Sequence, residues 1–191
     1  MKGCPLDCWW CHNPEGQRNG PELVVRPERC LSDCRACLAV CPSKAIRKRD
    51  GLCRVDAEAC RSCGACAEAC PTEALEMAGR RVSAADAVAE AARDAVFFEE
   101  SGGGITFSGG EPLAQPEFLA EMLELCRGRG IHTAVDTCGF VPPDVLMRIR
   151  PLTDLFLFDL KVMDSARHVR LTGAPNALIL DAACGTTSTG R

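Results

Sequence analysis

The chain lacks any apolar run near the roughly 20 residues that a bilayer-spanning helix needs. It also lacks the positively charged start and short apolar stretch of a secretory signal. It therefore reads as soluble and cytoplasmic. An excess of positive charge is missing too: 22 Lys and Arg stand against 26 Asp and Glu, a net charge of −4 with a pI near 5.5. That balance argues against general attraction to nucleic acid, and the short stretch Arg47-Lys48-Arg49 reads as solvated loop charge. What the chain has in abundance is cysteine, fifteen in 191 residues. In a reducing compartment, clustered cysteines are metal ligands more often than disulfides.

The run Cys4-Pro5-Leu6-Asp7-Cys8-Trp9-Trp10-Cys11 sets three thiolates close together with no fourth. Ordinary electron-carrier clusters use four cysteines, so such a loop can leave one iron of a cubane without a protein ligand and open to a small molecule, the competing reading being a zinc or disulfide fragment. A second block has the strings Cys30-x3-Cys34-x2-Cys37-x3-Cys41-Pro42 and Cys60-x2-Cys63-x2-Cys66-x3-Cys70-Pro71. The second string matches the bacterial ferredoxin run, whose fourth cysteine ligates the other cluster of the pair. Cys30, Cys34, Cys37 and Cys70 are therefore expected on one cluster, and Cys60, Cys63, Cys66 and Cys41 on the other. The first string has one extra residue, which leaves Cys53 as a possible substitute for Cys30. Structural zinc, which also uses four thiolates, is the competing reading of this block. Cys126, Cys138 and Cys184 read as small buried or loop residues.

Beyond this block, helical and strand-like segments alternate. Ser83 is placed to cap a helix reaching about Glu100, with a stripe of Ala84, Ala87, Val88, Ala91, Ala95 and Val96. Strands are expected over 105–108, 133–136 and 154–159, and helices over 116–127, 144–150 and 165–171. Strands spaced in this way with helices between them imply parallel βα units. Each strand runs into a polar or glycine-rich group: Ser108-Gly109-Gly110-Glu111, Asp136-Thr137-Cys138-Gly139, and Asp159-Leu160-Lys161. Active sites of βα barrels lie at such strand ends, so the three ends are expected to converge on one site.

In this order, C-P-L-D-C-W-W-C-H-N-P-E, the two-cluster block, G-G-G-I-T-F-S-G-G-E-P and G-I-H-T-A-V-D-T-C-G-F resemble the activating enzymes of glycyl radical enzymes, within the radical S-adenosylmethionine (SAM) superfamily. The resemblance implies an α/β fold, a partial (β/α) barrel with an inserted ferredoxin-like domain carrying two 4Fe-4S clusters. It implies that Cys4, Cys8 and Cys11 hold a third 4Fe-4S cluster whose open iron chelates SAM, with Trp10 against the adenine and His12 near it. Ser108, Gly109, Gly110 and Glu111 would face the SAM amino group, and Lys161 its carboxylate. Asp136, Thr137 and Asp159, with the Leu157 carbonyl, would hold a monovalent cation.

The implied reaction is reductive cleavage of SAM, followed by hydrogen abstraction from a backbone glycine of a partner glycyl radical enzyme. A flavodoxin- or ferredoxin-type protein would donate the electron, with no nucleic acid and no membrane involved. The expected organisation is a cluster loop over 1–27, the ferredoxin-like insert over 28–80, the partial barrel over 81–180 and an atypical tail over 181–191 without order. On this reading the chain is truncated at both ends, and is expected to fold poorly or bind SAM weakly. A ferredoxin-like electron-transfer protein, an inactive fragment and a radical SAM enzyme with a small-molecule substrate are the alternatives.

Overall fold

In a computed structural model that describes residues 1–187, the chain forms two units. One is Gly20–Arg81, and the other joins residues 1–19 to the segment from Val82 onward.

The Gly20–Arg81 unit repeats one plan twice. Strand β1 (Glu22–Val25) pairs antiparallel with β4 (Leu75–Ala78), and β2 (Ile46–Arg49) pairs antiparallel with β3 (Leu52–Val55). Two short helices, α1 (Ala36–Val40) and α2 (Ala65–Glu68), carry Cys37 and Cys66 in their first turns. The core is mostly sulfur: Cys37, Cys53 and Cys66 are buried with Ile46 and Leu75. Such a small domain has too few large apolar side chains to rely on burial alone, and bound metal is the usual remedy. The spacing predicted an insert beginning at 28. The pairing of β1 with β4 moves its start to residue 20, because Glu22 to Val25 supply half of one sheet.

In the other unit the expected βα units are present. Strands β5 (Gly104–Phe107), β6 (His132–Thr137) and β7 (Leu155–Phe158) form a parallel sheet in that order. Helix α3 (Ala84–Ala91) is capped by Ser83, whose Oγ accepts from the Asp86 amide at 3.1 Å and donates to the Asp86 carboxylate at 2.6 Å. A 3-10 turn at Ala92–Asp94 separates it from α4 (Ala95–Ser101), so the single helix expected here is broken. Helices α5 (Pro116–Gly128), α6 (Pro143–Ile149) and α7 (Ser165–Thr172) complete the cycle. Leu119, Leu123 and Ile149 are fully buried against Phe107 and Val135 of the sheet, together with Val88 of α3.

The tail departs from expectation. Helix α8 (Ala177–Thr187) continues through residues that were expected to lack order. Alanine is the strongest helix former, and the small size of Ala182 lets it enter the core beside Gly139, while Ile179 is buried near Leu6. The last four tail residues lie outside the described residues. Among the described residues, no helix is long and apolar enough to cross a membrane.

Candidate functional site

The first cysteine loop is tied down by backbone bonds on two sides. Its Cys4 amide donates to the Gln17 carbonyl at 2.9 Å, and the Asp7 and Trp9 amides donate to the Thr172 and Leu171 carbonyls at 2.8 and 3.1 Å. Those last carbonyls of α7 have no helical partner, so the loop satisfies them. From the other side, Gly110 and Glu111 donate their amides to the Met1 and Gly3 carbonyls at 2.7 and 2.6 Å. The approach is close enough that a Cβ on Gly110 would lie 2.5 Å from the Gly3 oxygen, and Gly109 adopts φ +127°. Only glycine tolerates both demands.

Held in this way, Cys4 and Cys8 pack with Leu6, Cys138 and Ile179. Cys138 donates its thiol hydrogen to Cys4, and this bond, ahead of the opposing cost of burial, brings the Cys4 thiol down to about 7. The same bond, with burial and the adjacent Glu111, pushes Cys138 far above the usual thiol range. Burial pushes Cys8 up, and Lys161 opposes it. Lys161 is itself drawn down by burial. Its hydrogen bond to Asp159 and the neighbouring Cys8 and Cys138 more than compensate, leaving it above the ordinary lysine value. Cys4, Cys8, Cys138, Lys161 and Asp159 thus form one constellation at the strand ends, with Cys11 partly exposed at the loop end. Trp10 is 43% exposed and His12 is exposed.

Two sets of expected site residues at the strand ends are engaged within the protein itself. Glu111 does not offer its carboxylate to a ligand. It is fully buried, and accepts from the Leu113 amide at 2.9 Å, the Thr137 hydroxyl at 2.7 Å and the Cys138 amide at 2.8 Å. It is a bracket that joins the end of β5 to the end of β6. The expected cation ligands are likewise engaged among themselves and their neighbours. Thr137 gives its hydroxyl hydrogen to Glu111 and accepts from the Gly139 amide at 2.9 Å, Asp136 accepts from Ser108 Oγ at 2.9 Å, and Asp159 is bonded to Lys161. Among the described residues, no three His, Cys, Asp or Glu side chains converge as a single-ion site.

In the Gly20–Arg81 unit the eight expected cysteines separate into two cavities. The first, of about 300 Å³, is lined by Cys30, Cys34, Cys37 and Cys70, and also by Cys53. The second, of about 310 Å³, is lined by Cys41, Cys60, Cys63 and Cys66. Each run-ending cysteine is thereby across from the other run. Burial raises Cys41, but the Ser43 hydroxyl and the amides of Ala45, Ser43 and Ile46 outweigh it and leave the thiol low. Cys70 repeats the pattern with Thr72, Ala74 and Leu75. Donors aimed at sulfur favour the thiolate that a cluster requires, so the residues fit two polynuclear clusters.

Sequence reasoning passed over Cys138 and His168. Cys138 stood two residues beyond a predicted strand, but the direction of its side chain depends on the tertiary fold. His168 is buried, with Nδ1 against the Thr172 hydroxyl at 2.9 Å, and its ring braces the end of α7 on which the loop rests.

The model of the radical SAM superfamily matches residues 58–183, and that of the 4Fe-4S dicluster domain matches residues 22–71. Among curated proteins, the trans-4-hydroxy-L-proline dehydratase activating enzyme of Clostridioides difficile is 44% identical over 94% of this chain and 60% of its own length. The (2S)-3-sulfopropanediol sulfolyase activating enzyme of Bilophila wadsworthia is 43% identical over 94% of this chain and 60% of its own length. The choline trimethylamine-lyase activating enzyme of Oleidesulfovibrio alaskensis is 42% identical, covering 94% of this chain and 59% of its own length. The chain therefore spans about three fifths of the relatives it matches.

Proposed function

The chain belongs to the radical SAM superfamily, and on that premise we propose that it acts as an activating enzyme: it cleaves SAM reductively and takes a hydrogen atom from a backbone glycine of a partner glycyl radical enzyme. Cys4, Cys8 and Cys11 would hold the SAM-binding 4Fe-4S cluster. Cys30, Cys34, Cys37 and Cys70 would hold a second, and Cys41, Cys60, Cys63 and Cys66 a third. When bound, the clusters and SAM supply the one-electron chemistry. The observation that carries the reading is the constellation at the strand ends, where two thiols of the three-cysteine loop meet Lys161 and the stitched glycine turn.

The protein's own residues orient and balance charge. The Ser108 carbonyl, which here accepts from the Met1 amino group, marks where an ammonium such as that of SAM would be bound, and the buried Glu111 bracket fixes where that backbone lies. Trp10 presents a flat ring beside the loop for the adenine. Lys161, paired here with Asp159, would supply the positive charge for the SAM carboxylate, and Asp136, Thr137 and Asp159 with the Leu157 carbonyl would be the oxygen ligands of a monovalent cation. The thiolates of the Gly20–Arg81 unit would hold the two clusters through which electrons from a flavodoxin- or ferredoxin-type donor could enter.

Anaerobic reconstitution with iron and sulfide, reduction, and an assay for 5′-deoxyadenosine test the proposal. Product is expected from the native chain and none from Cys8→Ala. Product that persists in Cys8→Ala refutes the ligand assignment. A native chain that carries iron in the Gly20–Arg81 unit but makes no product refutes SAM cleavage by this chain and leaves the electron-carrier and inactive-fragment readings.

A further inference from the structure

The first cavity of the Gly20–Arg81 unit holds five thiols, one more than a cubane takes, and the second holds four. The fifth is Cys53. It lies on β3, only 1% exposed, with its Sγ 3.9 Å from Cys37 Sγ. Its backbone is locked in the hairpin ladder opposite Lys48. The Lys48 ammonium in turn bonds to the carbonyls of Leu31 and Ser32, the latter at 2.9 Å, and so fixes the loop between Cys30 and Cys34. The cavity is thus rigid on both sides of its extra thiol.

We infer that Cys53 is not a ligand but a hydrogen-bond donor to the Cys37 sulfur, and that it raises the reduction potential of the cluster in the first cavity. The inference rests on the cluster reading of that cavity. Three features favour a donor over a ligand. Cys30, Cys34 and Cys37 lie on one short loop and turn with Cys70 across from them, which completes a set of four without Cys53. Cys53 is buried in the same core as Cys37 and approaches that sulfur at 3.9 Å. A Cys37 that ligates iron does so as the thiolate and carries no hydrogen, so in the 3.9 Å contact between the two sulfurs the hydrogen belongs to Cys53. Reduction adds negative charge to a cluster and its sulfurs, and a donor to a ligating sulfur stabilises that charge; hydrogen bonds to the sulfurs are a recognised control on potential. The second cavity has no such thiol, so the two clusters would differ in potential although their cysteine runs are alike.

The test is an EPR-monitored redox titration of the full chain, reconstituted anaerobically, with iron quantified for each protein. In Cys53→Ala the iron content is expected to match the native chain, one midpoint potential to move negative, and the others to stay. Cys53→Ser keeps a donor and is expected to lie nearer the native value. Cys30→Ala is expected to lose about four irons, one cubane. Loss of that cluster in Cys53→Ala, or full iron in Cys30→Ala, would show that Cys53 ligates and overturn the inference. Unchanged midpoints in Cys53→Ala with all iron retained would overturn it as well. A native chain that takes up no cubane in this unit would bring down the cluster reading itself, an outcome visible before any variant is made.

Discussion

Replacing Glu111 with alanine removes the acceptor of three hydrogen bonds inside the protein. The Thr137 hydroxyl can rotate toward another acceptor, but the Leu113 and Cys138 amides are fixed by the backbone. Each stranded amide costs about 1–3 kcal/mol, so the pair costs about 2–6 kcal/mol. Glutamine keeps one oxygen and sets an NH2 group against the remaining amide, which strands one donor at about 1–3 kcal/mol. Native-state amide hydrogen exchange reads these costs at the two sites. At about 1.4 kcal/mol per tenfold, Glu111→Ala should speed exchange at Leu113 and Cys138 by about 30-fold or more, with Glu111→Gln between it and the native chain. Amides at the far end of α3, such as Val88, serve as the internal control. Exchange at Leu113 and Cys138 within about threefold of native in Glu111→Ala would mean that the carboxylate carries no structural load, and the bracket would have to be abandoned. SAM affinity should fall with the same variants, because the glycine turn beside Glu111 would lose its anchor.

Leu123→Ala leaves a cavity between α5 and the sheet, and should cost about 2–5 kcal/mol; urea unfolding followed by far-UV circular dichroism checks it, and a loss below about 1 kcal/mol would place the core elsewhere. Lys161 stands above its ordinary value in the folded state, so its pair with Asp159 contributes stability in full below the unfolded lysine value. That contribution fades as pH rises through the higher folded one. Lys161→Met should therefore flatten the alkaline limb of a stability–pH profile, and an unchanged limb between native and variant would exclude the pair as its source.

Much of the scaffold was legible because period and punctuation agreed. The apolar stripe after Ser83, the Pro at the start of α5 and the glycine at its end each marked a boundary by local chemistry that the fold did not override. The cysteine strings were legible for a different reason: spacing on a short loop limits which thiols can meet, and the two cavities divide along the same lines. Side-chain direction at strand ends was not legible. Whether Glu111 turns outward to a ligand or inward to the Cys138 amide depends on where β6 lies, and β6 is some twenty residues away in sequence. Thr137 and Cys138 share that fate. Helix α8 was missed because small residues were read as unable to pack, whereas Ala182 is buried in the core near Gly139.

The pairing of β1 with β4 sets Glu22 opposite Ala78. Opposed residues of an antiparallel pair lie roughly 5 Å apart, so the Gly20–Arg81 unit closes on itself like a loop drawn tight at its neck. A segment whose entry and exit already meet can be spliced into a chain, enlarged or exchanged as a cassette, with its host keeping the path it had before. The dicluster unit is on that account separable from the three-cysteine loop by gene rearrangement, with one cut and one join on either side of a single hairpin-like neck.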